Sequence, residues 1–310
     1  MNRLCLQILF CLLCTLNSKG QQVVVQSLVN LERLGFNPSI TGSNESSSIF
    51  IANRTGSNLR YTSVQCETFF PKKSIGMGLL MESYQSLLET QNSFRLNVAY
   101  RLKTQKGFWQ MGLAPIAHNY SINTHNLNVR NLDDALIPKN NLNRWAVNFN
   151  AGILHKTKQM LLSISVQNVS KGLNPLASSY GYLIEYQQYT FFGSYAYNVS
   201  SSWKLVPALY AQQVTNLGNY VAASTKLQHD CFFVGLQYGL HHTWAASVAF
   251  NFQFEKKVKQ TMLGYSLVQG NNGMARDLFH EVFVSFSFAK KSRSNSSLKE
   301  IPQFLSPIYF

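Results

Sequence analysis

The clearest indication of the fold is the pattern of residues 92–104, Asn-Ser-Phe-Arg-Leu-Asn-Val-Ala-Tyr-Arg-Leu-Lys-Thr. In an extended strand, successive side chains point to opposite faces. One face of this stretch is apolar and aromatic, and it carries Phe94, Leu96, Val98, Tyr100 and Leu102. The other face is polar and cationic, and it carries Arg95, Asn97, Ala99, Arg101 and Lys103. The period of two therefore predicts a strand between an apolar environment and a polar one.

The same alternation recurs from about residue 47 to about residue 289. We predict fourteen strands, at 47–54, 59–69, 74–83, 92–103, 107–118, 143–155, 158–167, 186–198, 201–213, 219–228, 231–240, 243–254, 259–269 and 279–289. Many strands of about ten residues with this pattern indicate an all-β fold, a transmembrane antiparallel up-and-down β-barrel of the outer-membrane type. Pro115 lacks a backbone donor, so it is expected to weaken its strand or to mark a bulge.

The predicted connections alternate in length. Short turns follow every second strand, whereas the alternate connections at 119–142, 168–185 and 270–278 are longer and rich in Asn, Ser and Gly. Outer-membrane barrels place their short turns in the periplasm and their long loops outside the cell. The alternative is a soluble all-β sandwich or barrel in the periplasm. Against it stand the aromatic faces and the four tryptophans near strand ends, as in interfacial girdles: Trp109, Trp145, Trp203 and Trp244.

The two ends of the chain differ from the strand region. Residues 1–20 have a cation, an apolar run and small residues before Gln21, which predicts a signal peptide that is cleaved near Gly20. Residues 21–45 form an N-terminal segment with an Asn-Pro turn, 46–289 the barrel, and 290–310 a basic tail. Only Cys66 and Cys231 follow the signal peptide, and whether they pair is left open.

The chain is basic, with 27 Lys and Arg against 13 Asp and Glu. Without Arg3 and Lys19 the excess of cations falls by two, from +14 to a net charge of +12. The cations are spread along strands and turns and match no nucleic-acid-binding motif, so we favour anionic lipid or an acidic partner. The turn lysines form either a basic rim for such a partner or an ordinary solvated surface.

Four cations are predicted to face the lumen, namely Arg95, Arg101, Lys103 and Lys204. They would line an anion-selective pore if the lumen is open, or pair with Glu67, Glu82, Glu185 or Glu281 if it is filled. The segment from Gln21 to Gly42 is too apolar for a free tail. We therefore expect it to fold under or into the barrel and to plug or cap it.

Several short motifs resemble the PorP/SprF family of outer-membrane proteins, which accompany type IX secretion and gliding motility in Bacteroidota. The segment 36–43, Phe-Asn-Pro-Ser-Ile-Thr-Gly-Ser, resembles the family's Asn-Pro-Ala-Tyr-Ala-Gly-Ser signature. The segments 74–79, 148–153, 163–168 and 203–210 resemble its strand motifs, and 280–288 resembles its closing His-Glu-Ile strand. Ser39, Ile40 and Thr41 depart from the family's Ala-Tyr-Ala.

The resemblance implies a non-enzymatic barrel that carries no cofactor. Its implied partners are a secreted adhesin or cargo with a type B C-terminal sorting domain, or type IX secretion components in the periplasm. Outer-membrane lipid or lipopolysaccharide is a further expected partner, and nucleic acid is not expected. The predicted contact sites are the long loops with Asp133 and Asp134, and the turn with Asn37, Pro38 and Gly42.

Two other functions stay open. A passive porin for small anionic solutes would use the lumen cations. A barrel-embedded hydrolase would need a nucleophile and a base, but the acids are few and no Gly-x-Ser-x-Gly motif is present. Residues that act together in an active site need not be close in sequence, so the absence of a local motif weighs against an enzyme without excluding one.

Overall fold

The computed structural model describes residues 33–57, 59–86, 89–122, 142–170, 186–215, 218–240, 243–253, 258–271 and 276–288. A short helix α1 (Arg33–Phe36) and a 3-10 turn (Pro38–Ile40) precede the strands. The strands are β1 (Ser47–Thr55), β2 (Leu59–Phe70), β3 (Ile75–Ser86), β4 (Glu89–Lys103), β5 (Gly107–Ile122), β6 (Leu142–Thr157), β7 (Met160–Gln167), β8 (Gln188–Tyr195), β9 (Tyr197–Asn198), β10 (Trp203–Val214), β11 (Gly218–His229), β12 (Phe232–Gly239), β13 (Thr243–Phe252), β14 (Val258–Asn271) and β15 (Arg276–Phe288).

The strands form one closed antiparallel sheet. Each strand pairs with its neighbours in the chain, and β1 pairs with β15, which joins the two ends of the strand region. The short strands β8 and β9 both pair with β10 and are separated only by Ala196, so they occupy one position in the wall. The result is a barrel with fourteen strand positions, which confirms the predicted up-and-down barrel.

The two ends of the barrel are distinguished by their connections. β1 begins and β15 ends at the same end, and turns at 71–74, 104–106, 158–159, 199–202 and 230–231 lie there. We call this the short-turn end and the opposite one the loop end. The predicted loops at 119–142, 168–185 and 270–278 belong to the loop end, and most residues of the first two lie outside the described ranges. The third prediction was too long, because β14 continues to Asn271 and β15 begins at Arg276, which leaves only 272–275 between them.

The outer face of the wall is apolar. On β4 the residues Phe94, Leu96, Val98, Tyr100 and Leu102 are all exposed, whereas the alternate residues from Ser93 to Arg101 are buried inside. At ~3.3 Å per residue and a tilt of ~40°, positions 94 to 102 span roughly 20 Å of height, close to the apolar band of a membrane barrel. No helix among the described residues is long and apolar enough to cross a membrane.

All four tryptophans lie on the outward face, in agreement with the girdle prediction. Trp109 and Trp203 lie near the short-turn end, and Trp145 and Trp244 lie near the loop end. Trp145 is the most exposed of them, with 65% of its surface accessible. Indole rings at both edges of an apolar band are typical of membrane interfaces.

Pro115 meets one part of its prediction, because the pairing of β5 with β4 is interrupted between the Arg95–Ile116 and Val98–Leu113 pairs. β5 runs unbroken from Gly107 to Ile122, and Pro115 lies opposite Phe149 of β6. Its register with β4 is the same on both sides of the proline, with Arg95 opposite Ile116 and Val98 opposite Leu113, so no bulge forms there. The long strand with two partners tolerates the missing donor, because its other pairings hold it in place.

The remaining predictions about the ends and the thiols have different outcomes. The signal peptide with its cleavage near Gly20 and the tail at 290–310 lie outside the described residues. Cys66 and Cys231 are both free thiols in the structure. Cys66 is half-buried on β2 and Cys231 is exposed in a turn, so the pair forms no disulfide.

Candidate functional site

Residues 35–42 of the N-terminal segment lie inside the barrel, while its residues 21–32 lie outside the described ranges. Residues 35–42, which we call the plug, are buried throughout, and Ser39 and Thr41 are fully so. Asn37 begins the 3-10 turn, and its side-chain oxygen accepts hydrogen bonds from the backbone N–H of Ser39 at 2.9 Å and from its hydroxyl at 2.6 Å. Pro38 follows at the first position of the turn, where its fixed φ is favourable. The Asn-Pro pair thus makes a compact plug in place of an extended tail.

The plug lies along one row of inward-facing residues of the wall, in which each residue is paired with the next one across adjacent strands. Strand pairing places Gly76 of β3 opposite Ala99 of β4, Ala99 opposite Gly112 of β5, Gly112 opposite Gly152 of β6, and Gly152 opposite Ser165 of β7. These residues form a band that we call the small-residue row. Five adjacent strands therefore present almost no side-chain volume along one row of paired residues, which leaves a channel for the plug backbone.

The glycines in this row are needed for the close approach. A Cβ at Gly112 would lie 2.5 Å from Ser39 Cα, and it would overlap the Pro38 carbonyl carbon more closely still. A Cβ at Gly76 would overlap the Thr41 carbonyl, and one at Gly152 would overlap the Asn37 side chain. Real Cβ atoms essentially never approach so closely, so any larger residue requires the plug to move.

The plug ends at a glycine in the left-handed region. Gly42 has a φ of 70°, a conformation that favours glycine. A Cβ there would also lie only 2.9 Å from the Thr68 carbonyl oxygen. The Gly42 amide donates to Glu67 Oε2 at 2.7 Å, so this turn both reverses the chain and fixes it to β2.

Polar side chains hold the plug from the short-turn side. Gln110 Nε2 donates to the carbonyl oxygens of Ser39 at 2.8 Å and Thr41 at 2.6 Å. Arg101 donates to the Gly42 carbonyl at 2.8 Å and to Glu45 Oε1 at 2.5 Å. Because each buried backbone acceptor receives a donor, the irregular segment avoids the cost of unsatisfied carbonyls.

Arg101 is also enclosed by aromatic rings. Its guanidinium carbon lies 3.8 Å from the Phe69 ring centroid and 3.9 Å from the Phe108 centroid. Its Nε donates to Gln110 Oε1 at 3.0 Å, which orients the amide toward the plug. A buried cation between two rings, with an acid and a carbonyl as further partners, is a favourable environment for guanidinium.

Further contacts hold the start of the plug. Gln167 Nε2 donates to the Phe36 carbonyl at 2.9 Å, and Ser165 Oγ donates to the same oxygen at 2.5 Å. Arg95 donates to the Gly35 carbonyl and lies 3.5 Å from Glu82 Oε2. The Phe36 ring contacts Phe192, with centroids 5.9 Å apart, and so links the plug to a buried apolar cluster on β8 and β10.

The opposite half of the lumen is filled by the wall itself. Phe50, Phe233 and Phe283 stack there, with centroids of 5.9 Å and 6.4 Å from Phe283 to the other two. Arg54 and Glu281 form a buried ion pair at 3.1 Å beside them. The barrel interior thus has a plugged half, on β2 to β8, and a self-filled half, on β11 to β15 and β1.

The predicted lumen cations are placed as follows. Arg95 and Arg101 are buried against the plug. Lys103 shares their face of β4 but is exposed at the short-turn end, and Lys204 is half-buried near the same end of β10. The structure brings the first two together with the plug and leaves the other two at the rim.

The predicted contact residues have mixed positions. Asn37, Pro38 and Gly42 are buried in the lumen, so their surroundings are the barrel wall and their role in this structure is internal. Asp133 and Asp134 lie outside the described residues, and their contact with a partner stays a prediction. In the ranges that the structure describes, no group of three His, Cys, Asp or Glu side chains is placed to hold a metal ion.

Sequence reasoning did not single out Gln110 or Gly112, and it placed Lys156 among the turn lysines, whereas Lys156 is buried within β6. Gln110 carries the two hydrogen bonds described above, and Lys156 Nζ donates to Asn44 Oδ1 at 2.7 Å. Gln110 and Gly112 alternate with the outward Trp109, Met111 and Leu113, so these two were identifiable as inward-facing. An inward Gln next to an inward Gly, on a strand whose neighbour also carries an inward Gly, is the signal that would have indicated a bound segment.

Five lysines are exposed at the short-turn end of the plugged half. They come from three neighbouring connections and a strand end, and they are Lys72, Lys73, Lys103, Lys106 and Lys158. We call them the lysine rim. Asp230, by contrast, lies in the turn between β11 and β12. The rim is therefore a positive surface beside the place where the chain passes into the lumen.

Solved structures with a similar fold are outer-membrane proteins. The Pseudomonas putida toluene transporter TodX matches with a TM-score of 0.50 at 9% identity, over 87% of this chain and 95% of that one. Omp33 of Acinetobacter baumannii matches with a TM-score of 0.45 at 10% identity, over 79% of this chain and all of that one. At such identities the likeness shows the fold alone. No curated protein matches the chain.

The family comparison covers most of the chain. Residues 17–286 match the family described as type IX secretion system membrane protein PorP/SprF. The matched range contains the plug, the small-residue row and nearly all of the barrel wall. The fold and the family together place the protein in the outer membrane. The chain belongs to the PorP/SprF family of type IX secretion system membrane proteins.

Proposed function

We propose that this barrel is a non-enzymatic partner protein of type IX secretion, which binds other proteins at its two ends. The observation that carries the proposal is the plug on the small-residue row. A lumen that is filled by the plug on one side and by wall side chains on the other is suited to a rigid anchor. It is less suited to the passive porin, which needs a water-filled path lined by its cations.

The short-turn end is the proposed site for the periplasmic machinery. Short turns of outer-membrane barrels face the periplasm, which puts the lysine rim there. The rim lysines make no ion pair among the described residues, so their charge is available to a partner. Clustered positive charge steers and orients acidic partners. We therefore expect an acidic periplasmic component to contact this end.

The loop end is the proposed site for secreted cargo. This end faces the cell surface, where an adhesin with a C-terminal sorting domain would be displayed. The long loops, including Asp133 and Asp134, are the segments available for that contact. Surface loops on a rigid barrel are well suited to recognition because their sequence can vary without disturbing the wall.

Affinity capture of the tagged barrel from solubilised native membranes tests both contacts. We expect mild crosslinking and mass spectrometry to identify periplasmic secretion components and a secreted protein with a C-terminal sorting domain. The variant K72Q/K73Q/K106Q should lose the periplasmic components and keep the cargo, and replacement of 123–141 by an Asn-Gly turn, which still joins β5 to β6, should do the reverse. The variant R144Q/R276Q, which removes cations from the loop-end starts of β6 and β15, is the control for the rim variant. A barrel that emerges alone after crosslinking contradicts the proposal.

A further inference from the structure

The outer wall has a sharp polar boundary on one side of the loop end. Strand pairing aligns a row of outward polar residues across seven strands: Asn143, Ser121, Thr90, Gln85, Arg60, Thr55 and His280. A second row lies directly beneath it: Trp145, Asn119, Asn92, Ser83, Thr62 and Asn53. We call the two together the polar rows. Asn53 Nδ2 donates to Thr62 Oγ1 at 2.8 Å and Asn119 Nδ2 to Asn143 Oδ1 at 2.7 Å, so these side chains form an ordered surface.

An apolar groove lies immediately below the polar rows. It has a volume of about 320 Å³. Val64 and Ala117 line its shallow part, while Met81, Phe94 and Trp145 stand beside it as larger side chains. Phe94 and Met81 are both 45% exposed. Trp145 in this lining is an indole near the loop-end start of β6, which indicates that the groove lies where the headgroups of a lipid leaflet end and its acyl chains begin.

Arg60 lies in the upper polar row, one row above Thr62 at the edge of the groove. Its side chain is exposed on the outward face, and it makes no ion pair with any residue in the described ranges. A guanidinium at this height matches a phosphate oxygen pair, which it can bind in a bidentate manner. The hydroxyl and amide groups along the rows match the hydroxyl groups of a sugar.

We propose that this surface binds a phosphorylated glycolipid of the outer leaflet, with one acyl chain in the groove and a headgroup phosphate on Arg60. The width of the rows favours a glycolipid over a phospholipid. Seven strands at ~4.8 Å spacing extend over roughly 29 Å, far wider than the headgroup of one phospholipid. The loop end faces the cell surface, and the outer leaflet there consists of such glycolipids.

Native mass spectrometry of the purified barrel with added lipid tests the site. The probes are diphosphorylated lipid A, dephosphorylated lipid A and phosphatidylglycerol. The wild-type barrel should retain the first most strongly. Arg60→Gln removes the guanidinium and should lower retention of diphosphorylated lipid A by about tenfold, as expected for the loss of one charge-assisted contact. Ala117→Phe fills the groove and should lower retention by about tenfold, as expected when roughly two acyl CH₂ groups lose their burial. Arg60→Gln should retain the two lipid A forms equally.

The control variants place the same changes elsewhere on the wall. Ala246→Phe adds a ring to the outward face of β13, on the far side of the loop end, and Lys106→Gln removes a cation from the short-turn end. Both should retain lipid A as the wild type does. Equal retention of phosphatidylglycerol overturns the proposal, as does lipid A binding that neither test variant changes. A captured protein that is lost in Ala117→Phe also overturns it, because the groove would then be a protein interface.

Discussion

The two halves of the barrel lumen are filled in different ways. In the self-filled half, phenylalanines from the wall and the Arg54–Glu281 pair occupy the interior. In the plugged half, the residues of the small-residue row have almost no side-chain volume, and the plug occupies the space that larger side chains would fill. The small residues therefore form one side of an intramolecular contact, and the plug forms the other side. A segment bound by hydrogen bonds can in principle leave, whereas wall side chains cannot.

The family motifs acquire a physical meaning from this comparison. The Asn-Pro signature lies in the plug, and the motifs at 74–79 and 148–153 contain Gly76 and Gly152, which it contacts. Motifs that are far apart in the sequence are thus the two sides of one interface. Their shared role explains why the Asn-Pro segment and glycines inside strands occur in the same chain.

Removal of the plug should have the largest effect. A chain that lacks residues 21–44 loses the filling of one half of the lumen, and water should enter beside Arg101 and Gln110. We expect discrete conductance steps in a planar bilayer, where the complete chain shows none. The matched control lacks residues 290–310, a segment of similar length that follows the last strand. A silent barrel without its plug would show that the plug does not close the lumen.

A single methyl group should distinguish the two halves. Gly112→Ala puts a Cβ 2.5 Å from Ser39 Cα, whereas at Gly235, on β12 of the self-filled half, the nearest atoms to a Cβ are 3.8 Å away. Overpacking of about 1–3 kcal/mol would raise the displaced population of the plug by roughly 5- to 150-fold. Cysteine labelling at position 39, in a background without Cys66 and Cys231, measures this population. Gly235→Ala should label as slowly as the parent, and equal labelling of both variants would refute the role of the row.

The buried arginines should show different consequences on removal. Arg101→Gln removes the donor to the Gly42 carbonyl, so the plug should label faster at position 39 while the wall keeps most of its stability. Arg54→Gln removes the cation beside Glu281 and should cost the whole barrel about 3–5 kcal/mol. Urea unfolding in lipid vesicles measures the second quantity. If Arg54→Gln accelerated labelling as much as Arg101→Gln, the halves would not be independent.

The strand pattern was predictable because each strand carries it locally. Phe94 and Arg95 differ in polarity, and that difference alone assigns their faces. The row of the wall to which a residue belongs cannot be assigned from one strand alone, because it depends on the register between strands. Gly76, Gly112 and Gly152 come from three separate strands, and only the pairing reveals that they share one row.

The same limitation explains the predicted cations. Arg101 and Lys103 are two residues apart on one face of β4, and alternation assigns both to the lumen. Only the structure shows that the first contacts the plug and that the second reaches the rim. The plug itself was predictable in kind from its apolar residues and the Asn-Pro turn. Its position was not, because the hydrogen-bond donors that receive it are dispersed from Arg95 to Gln167.

The smallest expected effect is that of Glu45→Gln, which should be weaker than that of Glu67→Gln on the contact between the plug and the wall. Glu45 pairs with Arg101, but its side chain is 64% exposed, so Glu45→Gln should change plug labelling by no more than the ~0–1 kcal/mol of a solvent-exposed pair. Glu67 accepts from the Gly42 amide and from Ser48 Oγ at 3.2 Å in a half-buried site, so Glu67→Gln should cost about 1 kcal/mol or more. The salt dependence of plug labelling distinguishes the two variants. At about 1 M salt the effect of Glu45→Gln should vanish, because exposed charges are screened over ~3 Å, while that of Glu67→Gln should persist. Loss of both effects in salt would mean that the plug is held mainly by exposed charge, and that the hydrogen bonds along the small-residue row contribute little.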